Sequence, residues 1–322
     1  MASCLVVLVL LSACDLPFGL GLPTTRALET GAADTLTGAG SFEITGSYTE
    51  SDTRWSIDLQ VTRPAAQHAV VSTTALTLEA IVIGSDAYFR GKEFLSQHMG
   101  ADAISRNLVK AAGNAWWKGT SNLLPRLLDF TDGPTFRSTF LGTAVTQRID
   151  HVQVDALNAV ELSGPRADVF IVANPPYQVL RVHLKAGAVI DGISDGDLHF
   201  KNFGQDFRIV APTDVIDFSN LSTLPPVYGV VSVDTSGCGS PCAVSALLKN
   251  LGGTAGAQAP STVTFTITDA ASRQVLGSCK ALVQPDVGYN STIGVGCTMA
   301  GLNGQEVNAA TVNATVENPG RA

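Results

Sequence analysis

The residues best placed to do covalent chemistry are six cysteines, and they are unevenly spread. Cys4 and Cys14 lie at the extreme N-terminus, whereas Cys238, Cys242, Cys279 and Cys297 all lie in the last third. Four thiols confined to one region predict two disulfides and an oxidising compartment. Zinc is the competing use. CGSPC followed by a widely separated pair, with no histidine nearby, is not a zinc spacing, so no metal site is expected. The five histidines, His68, His98, His151, His183 and His199, are scattered. His183 and His199 fit the wet face of neighbouring strands. Asp191, Asp195 and Asp197 in DGISDGD read either as a weak calcium cluster or as a hairpin turn, and the loop spacing of a known calcium site is missing. No nucleophile elbow, HExxH or phosphate loop occurs, so neither an enzyme nor a cofactor is expected.

Something must position these residues, and composition bounds it. The chain has 322 residues, with 45% apolar and 15% charged side chains and a net charge of −8. This suffices for about two domains with sizeable cores. The acidic balance and the absence of Lys/Arg runs argue against a nucleic-acid surface.

Residues 5–11, LVVLVLL, are too few to span a bilayer, which takes about 20 apolar residues, but suit the core of a signal peptide. Leu11-Ser12-Ala13-Cys14 follows and resembles the bacterial lipobox. That resemblance implies cleavage after residue 13 and acylation of Cys14. No Lys or Arg precedes the apolar run, a departure from the pattern, and an ordinary secretory signal with a chance cysteine is the alternative. Residues 14–37, rich in Gly, Pro, Thr and Ala, read as a lipidated N-terminus and flexible tether.

Alternation then takes over. Phe42, Ile44 and Tyr48 share a face, and Trp55, Ile57, Leu59 and Val61 alternate with Arg54, Ser56, Asp58 and Gln60. Val70–Thr77, Leu78–Ile83 and Ala87–Arg90 continue an antiparallel meander. Helical spacing replaces it over Glu93–Ala112 and Thr120–Phe130, and Asp132-Gly-Pro-Thr reads as the cap of a short helix carrying Phe136, Phe140 and Leu141. About six more strands follow from His151, including Val189–Ile193, Leu198–Phe203 and Phe207–Val210. A single antiparallel sheet of this size must curl, and the helical insert is its natural lid. Whether the lid fills the concavity as core or leaves a tunnel stays open.

IVIGSDAYFRG, Trp116-Trp117-Lys118 and VHLKAGAVIDGISDGDLHFKNFGQDFRIVAPTDV, in this order, resemble the actinobacterial lipoproteins of the LppX/LprG type, which share a half-barrel with the carrier LolA. The resemblance covers about residues 38–224. It implies an apolar cavity for acyl chains beneath a helical lid. The residues expected to line it are Trp55, Ile57, Leu59, Leu76 and Leu78 on strands and Phe94, Leu108, Leu123, Leu127 and Phe130 in the lid. Each taken alone reads sooner as core than as lining, and the expectation rests on the set. Trp116 and Trp117, adjacent on a strand, point to opposite faces.

After Leu224 the composition shifts. Val227–Asp234, Ala243–Lys249, Ser261–Thr268, Gln274–Val283, Ser291–Thr298 and Val307–Val316 are strand-like runs over residues 225–322, and are similar to immunoglobulin-like modules of bacterial surface proteins. Cys279 and Cys297 fall on inner faces and are expected to meet; Cys238 and Cys242 are expected to close a tight loop.

The fold expected is therefore α+β, mainly β: a curled antiparallel LolA-like half-barrel with a helical lid, then an immunoglobulin-like β-sandwich. The function expected is that of an extracytoplasmic lipoprotein, anchored to the bacterial cell membrane, that binds or carries a lipid or other hydrophobic molecule. The alternatives are a surface scaffold that binds protein through its sandwich, and an envelope sensor of hydrophobic compounds.

Overall fold

The computed structural model describes residues 22–99, 102–120, 127–302 and 304–321. In chain order the elements are α1 (Thr25–Gly38), β1 (Ser41–Glu50), β2 (Thr53–Thr62), β3 (Ala66–Ser72), β4 (Thr77–Ile83), β5 (Asp86–Arg90), α2 (Lys92–His98), α3 (Ala103–Ala112) and β6 (Trp116–Gly119). Next come α4 (Leu128–Thr131), α5 (Gly133–Phe140), β7 (Gln147–Val154), β8 (Leu157–Ser163), β9 (Ala167–Val172), β10 (Val179–Leu184), β11 (Ser194–Lys201) and β12 (Val215–Ile216). The last third holds β13 (Tyr228–Asp234), β14 (Cys242–Asn250), β15 (Thr262–Asp269), β16 (Val275–Leu282), β17 (Thr292–Met299), α6 (Gly304–Asn308) and β18 (Ala310–Glu317). Strands dominate, with few and short helices.

These elements cluster into two compact units. One takes the described residues up to Ala39 together with residues 127–200. In it β7 to β11 form a meander of neighbouring antiparallel strands, with Val160, Leu162, Val169, Ile171, Val182 and Leu184 buried. Its helices pack through α1 and α5. Gly133 lets them touch, because a Cβ there would lie 2.3 Å from the Ala33 carbonyl oxygen. Asp132 caps α5 as expected, its carboxylate accepting from the Thr135 N–H at 3.0 Å, with Pro134 in the first turn.

Of the tether expected over residues 14–37, helix α1 corrects the part from Thr25 onward, and residues 14–21 lie outside the described residues. Its N-cap, Thr24, accepts from the Ala27 N–H, and Leu28, Ala32 and Leu36 recur every four residues on a fully buried stripe. Burial of that stripe outweighs the weak helix propensity of its threonines and glycine. Two expected strands are also absent. At 189–193 the positive φ of Asp191 and Gly192 turns the chain so that Ile190 bridges Ile193, and Phe207–Val210 runs without regular structure.

The second unit takes the described residues of 40–120 and 201–321. Its first sheet has the order β12-β6-β5-β4-β3-β2-β1, antiparallel except for the β12–β6 pair. Registers are continuous: Ile57 lies opposite Val71, and Val71 opposite Leu78. One face is apolar. The other carries a polar network in which Glu79 accepts from His68 at 2.9 Å and from the Arg90 guanidinium at 2.8 Å, while Arg90 also lies 4.7 Å over the Trp116 ring. Trp117 points the other way, is buried and stacks on Phe89 at 4.9 Å, so the adjacent tryptophans do face opposite sides.

The remaining strands form two three-stranded sheets, β13-β14-β17 and β16-β15-β18, around a core of Tyr228, Val244, Leu248, Val263, Phe265, Ile267 and Met299. The six expected runs appear as β13 to β18, except that Val307 and Asn308 end α6 and the last strand begins at Ala310. Cys279–Cys297 joins β16 to β17 across the sheets, and Cys238–Cys242 closes the loop before β14. The buried Asn250 side chain accepts from Val227 and Gly252 N–H and donates to the Gly253 and Val287 carbonyls, so a polar group in the core is satisfied.

Candidate functional site

The site is built on the apolar face of the second unit's first sheet. Side chains two apart on a strand share a face, as do cross-strand partners. Tyr48 and Glu50 on β1 therefore project with their partners Trp55 and Thr53 on β2. The Val71–Leu78 pair adds the next row, and the connection between β3 and β4 brings Thr73, Ala75 and Leu76. Helix α2 covers this surface. Phe94, Gln97 and His98 fall at helical spacing on one side of it.

The chain enters α2 through Gly91. A Cβ there would lie 2.4 Å from the Thr77 carbonyl oxygen, so only glycine lets β5 turn into the helix against β4. This explains the glycine of the YFRG strand.

Between helix and sheet lies a cavity of about 460 Å³, lined by Tyr48, Glu50, Ser51, Thr53, Trp55, Val71, Thr73, Ala75, Leu76, Leu78, Phe94, Gln97 and His98. The volume is that of a small-molecule site, and aromatic and aliphatic walls with a few polar groups are its usual lining. The rings of Phe94 and His98 stack at 3.9 Å, and His98 Nδ1 donates to the Phe94 carbonyl at 2.8 Å, which fixes the imidazole as part of the wall. Burial pushes the Glu50 carboxyl above its ordinary range. Burial, with Glu50 nearby, also raises the Tyr48 hydroxyl. A second hollow of about 640 Å³ sits beside it, around Ser47, Asp52, Arg54, Trp55, Ser72 and Ala75.

Of the residues expected to line a cavity, Trp55, Leu76, Leu78 and Phe94 come together here. Ile57 and Leu59 share the face of Trp55 but are packed into the core. Leu108 is buried on α3 and does not line the cavity. Leu127 and Phe130 do not line it either. They are buried in the other unit, where Phe130 packs on Phe140 at 5.1 Å. Their apolar helical spacing signals burial and cannot say against what. Leu123 and Cys14 lie outside the described residues. Sequence reasoning missed Tyr48, Glu50, Gln97 and His98 as lining. The signal was present: Tyr48 and Glu50 continue the alternation of β1, and 94, 97 and 98 are one helix face. Among the described residues no group of His, Cys, Asp or Glu is arranged to hold a metal ion, and no helix is long and apolar enough to cross a membrane.

No protein-family model matches this chain, and no curated protein matches it. Among solved structures it is similar to one described as "Crystal structure of MucB in complex with MucA(peri)". The identity is 13%, over 92% of this chain and 99% of that one, with a TM-score of 0.30. A superposition of that quality transfers neither fold nor function.

Proposed function

We propose that this protein is an extracytoplasmic binding protein that takes a hydrophobic small molecule or acyl chain into the cavity beneath α2, without catalysing a reaction on it. The cavity carries this reading: about 460 Å³ between an apolar sheet face and a covering helix. The meanders with a helix laid over them support the LolA-like half-barrel that the motifs of residues 38–224 resemble. In the last third, β14 pairs with β17 and β15 with β18, the second strand with the fifth and the third with the sixth. That exchange between sheets supports an immunoglobulin-like sandwich. The two disulfides support an oxidising compartment. An acyl anchor on Cys14 belongs to the same reading.

Native mass spectrometry of the purified protein, with lipid analysis of a solvent extract, tests it. A co-purifying or rebound apolar ligand is expected, and Ala75→Trp, an exposed residue at the rim, fills the space and abolishes retention. A clean apo mass after incubation with membrane lipids would falsify the carrier reading. It would favour instead protein docking on the sandwich, whose outer faces leave Leu247, Leu276 and Leu282 exposed.

A further inference from the structure

The cavity is not electrically neutral. Glu50 is half-buried in its wall, whereas in the adjoining hollow Asp52 stands together with Arg54. No Lys or Arg stands among the described residues that line the cavity beneath α2, and the one base there, His98, gives its Nδ1 hydrogen to the Phe94 carbonyl. Burial pushes the Glu50 carboxyl above its ordinary range. Tyr48 and Trp55, cross-strand partners on the same face as Glu50, offer aromatic surfaces within the same cavity. A carboxylate beside two electron-rich rings is a cation-binding combination, since the ring faces and the carboxylate attract the same charge. An anionic head would meet Glu50 with no donor of positive charge and would lose its hydration for nothing.

Resting on the reading of this cavity as a ligand site, we propose that it selects its ligand by charge: an amphiphile with one apolar chain and a cationic ammonium head, held by Glu50, Tyr48 and Trp55, with anionic amphiphiles disfavoured. The chain would lie against Val71, Leu78 and Phe94. Glu50 is then the residue that determines specificity.

The test compares three probes of one chain length, dodecyltrimethylammonium, dodecanol and dodecanoate, below their aggregation concentrations, by calorimetry and by Trp fluorescence at neutral pH. The expected order is ammonium over alcohol over carboxylate. The ends should differ by about tenfold or more, the equivalent of one charge-assisted contact. Glu50→Gln should bring the ammonium and carboxylate affinities within about threefold of each other, while a urea midpoint no lower than that of the wild type shows that the variant is folded. Equal binding of all three probes by the wild type overturns charge selection and leaves the cavity reading standing. Binding of none overturns the cavity reading itself. A preference that survives Glu50→Gln overturns the role given to Glu50.

Discussion

Two glutamates in the same sheet meet opposite environments. Burial works to raise the Glu79 carboxyl, but the hydrogen bonds from His68 and Arg90 outweigh it and hold the group below its ordinary range. Its contribution to stability is therefore complete above the pKa of the unfolded chain and is lost as pH falls through the lower folded value. Glu79→Gln should cost about 1 kcal/mol at pH 7, because the group is partly solvated. The gap from the wild type should close on acidification, read as urea midpoints at pH 7 and at progressively lower pH. An unchanged gap across that range would refute the linkage. Glu50 has the opposite sign. Its folded carboxyl keeps a proton to higher pH than the unfolded one, so its charge costs stability above that range and the cost vanishes below the unfolded value. Glu50→Gln should thus leave stability unchanged or raise it by no more than about 0.5 kcal/mol at pH 7. The sequence marked Trp55 and Phe94 by their bulk and period. It could not mark Glu50 or Glu79, because both sit at alternating positions and only the register decides which neighbours they meet.

At the scale of elements, two short helices depend on single residues. Asp132 satisfies the first turn of α5, and Asp132→Ala should cost about 1 kcal/mol, seen as a lowered midpoint in denaturant. The cap was legible because Asp-Gly-Pro-Thr carries its own mechanism. Gly91 was legible only as part of a motif; its reason is the Thr77 carbonyl 2.4 Å from where a Cβ would stand. Gly91→Ala should destabilise by more than about 1 kcal/mol and displace α2, so that apolar ligand uptake falls with stability. A Gly91→Ala variant of wild-type stability and uptake would show that the strand-to-helix turn has room to spare. Helix α1 was illegible for the converse reason. Its threonines and Gly31 read as linker, and only the burial of Leu28, Ala32 and Leu36 reveals a helix.

For the whole molecule, most strands were readable from alternation, those expected at 189–193 and 207–210 excepted, and the cysteine pairing in the last third from which faces the thiols occupy. The cavity was not, since its volume depends on how closely α2 approaches the sheet. The two disulfides close loops of very different length, with sequence separations of 4 and 18. Replacing Cys279 and Cys297 by Ala should cost about 3 kcal/mol, and replacing Cys238 and Cys242 distinctly less, in calorimetric unfolding of each variant. Equal losses would contradict an account based on loop closure. Helix α1 also bears on the geometry of delivery. If the proposed acyl anchor sits on Cys14, the chain from there to the first helical residue, Thr25, reaches no further than about 40 Å even when fully drawn out. So leashed, the protein would not ferry cargo across a compartment. It would work as a sentry at the lipid surface, loading from or unloading to whatever comes within a protein diameter of its own bilayer.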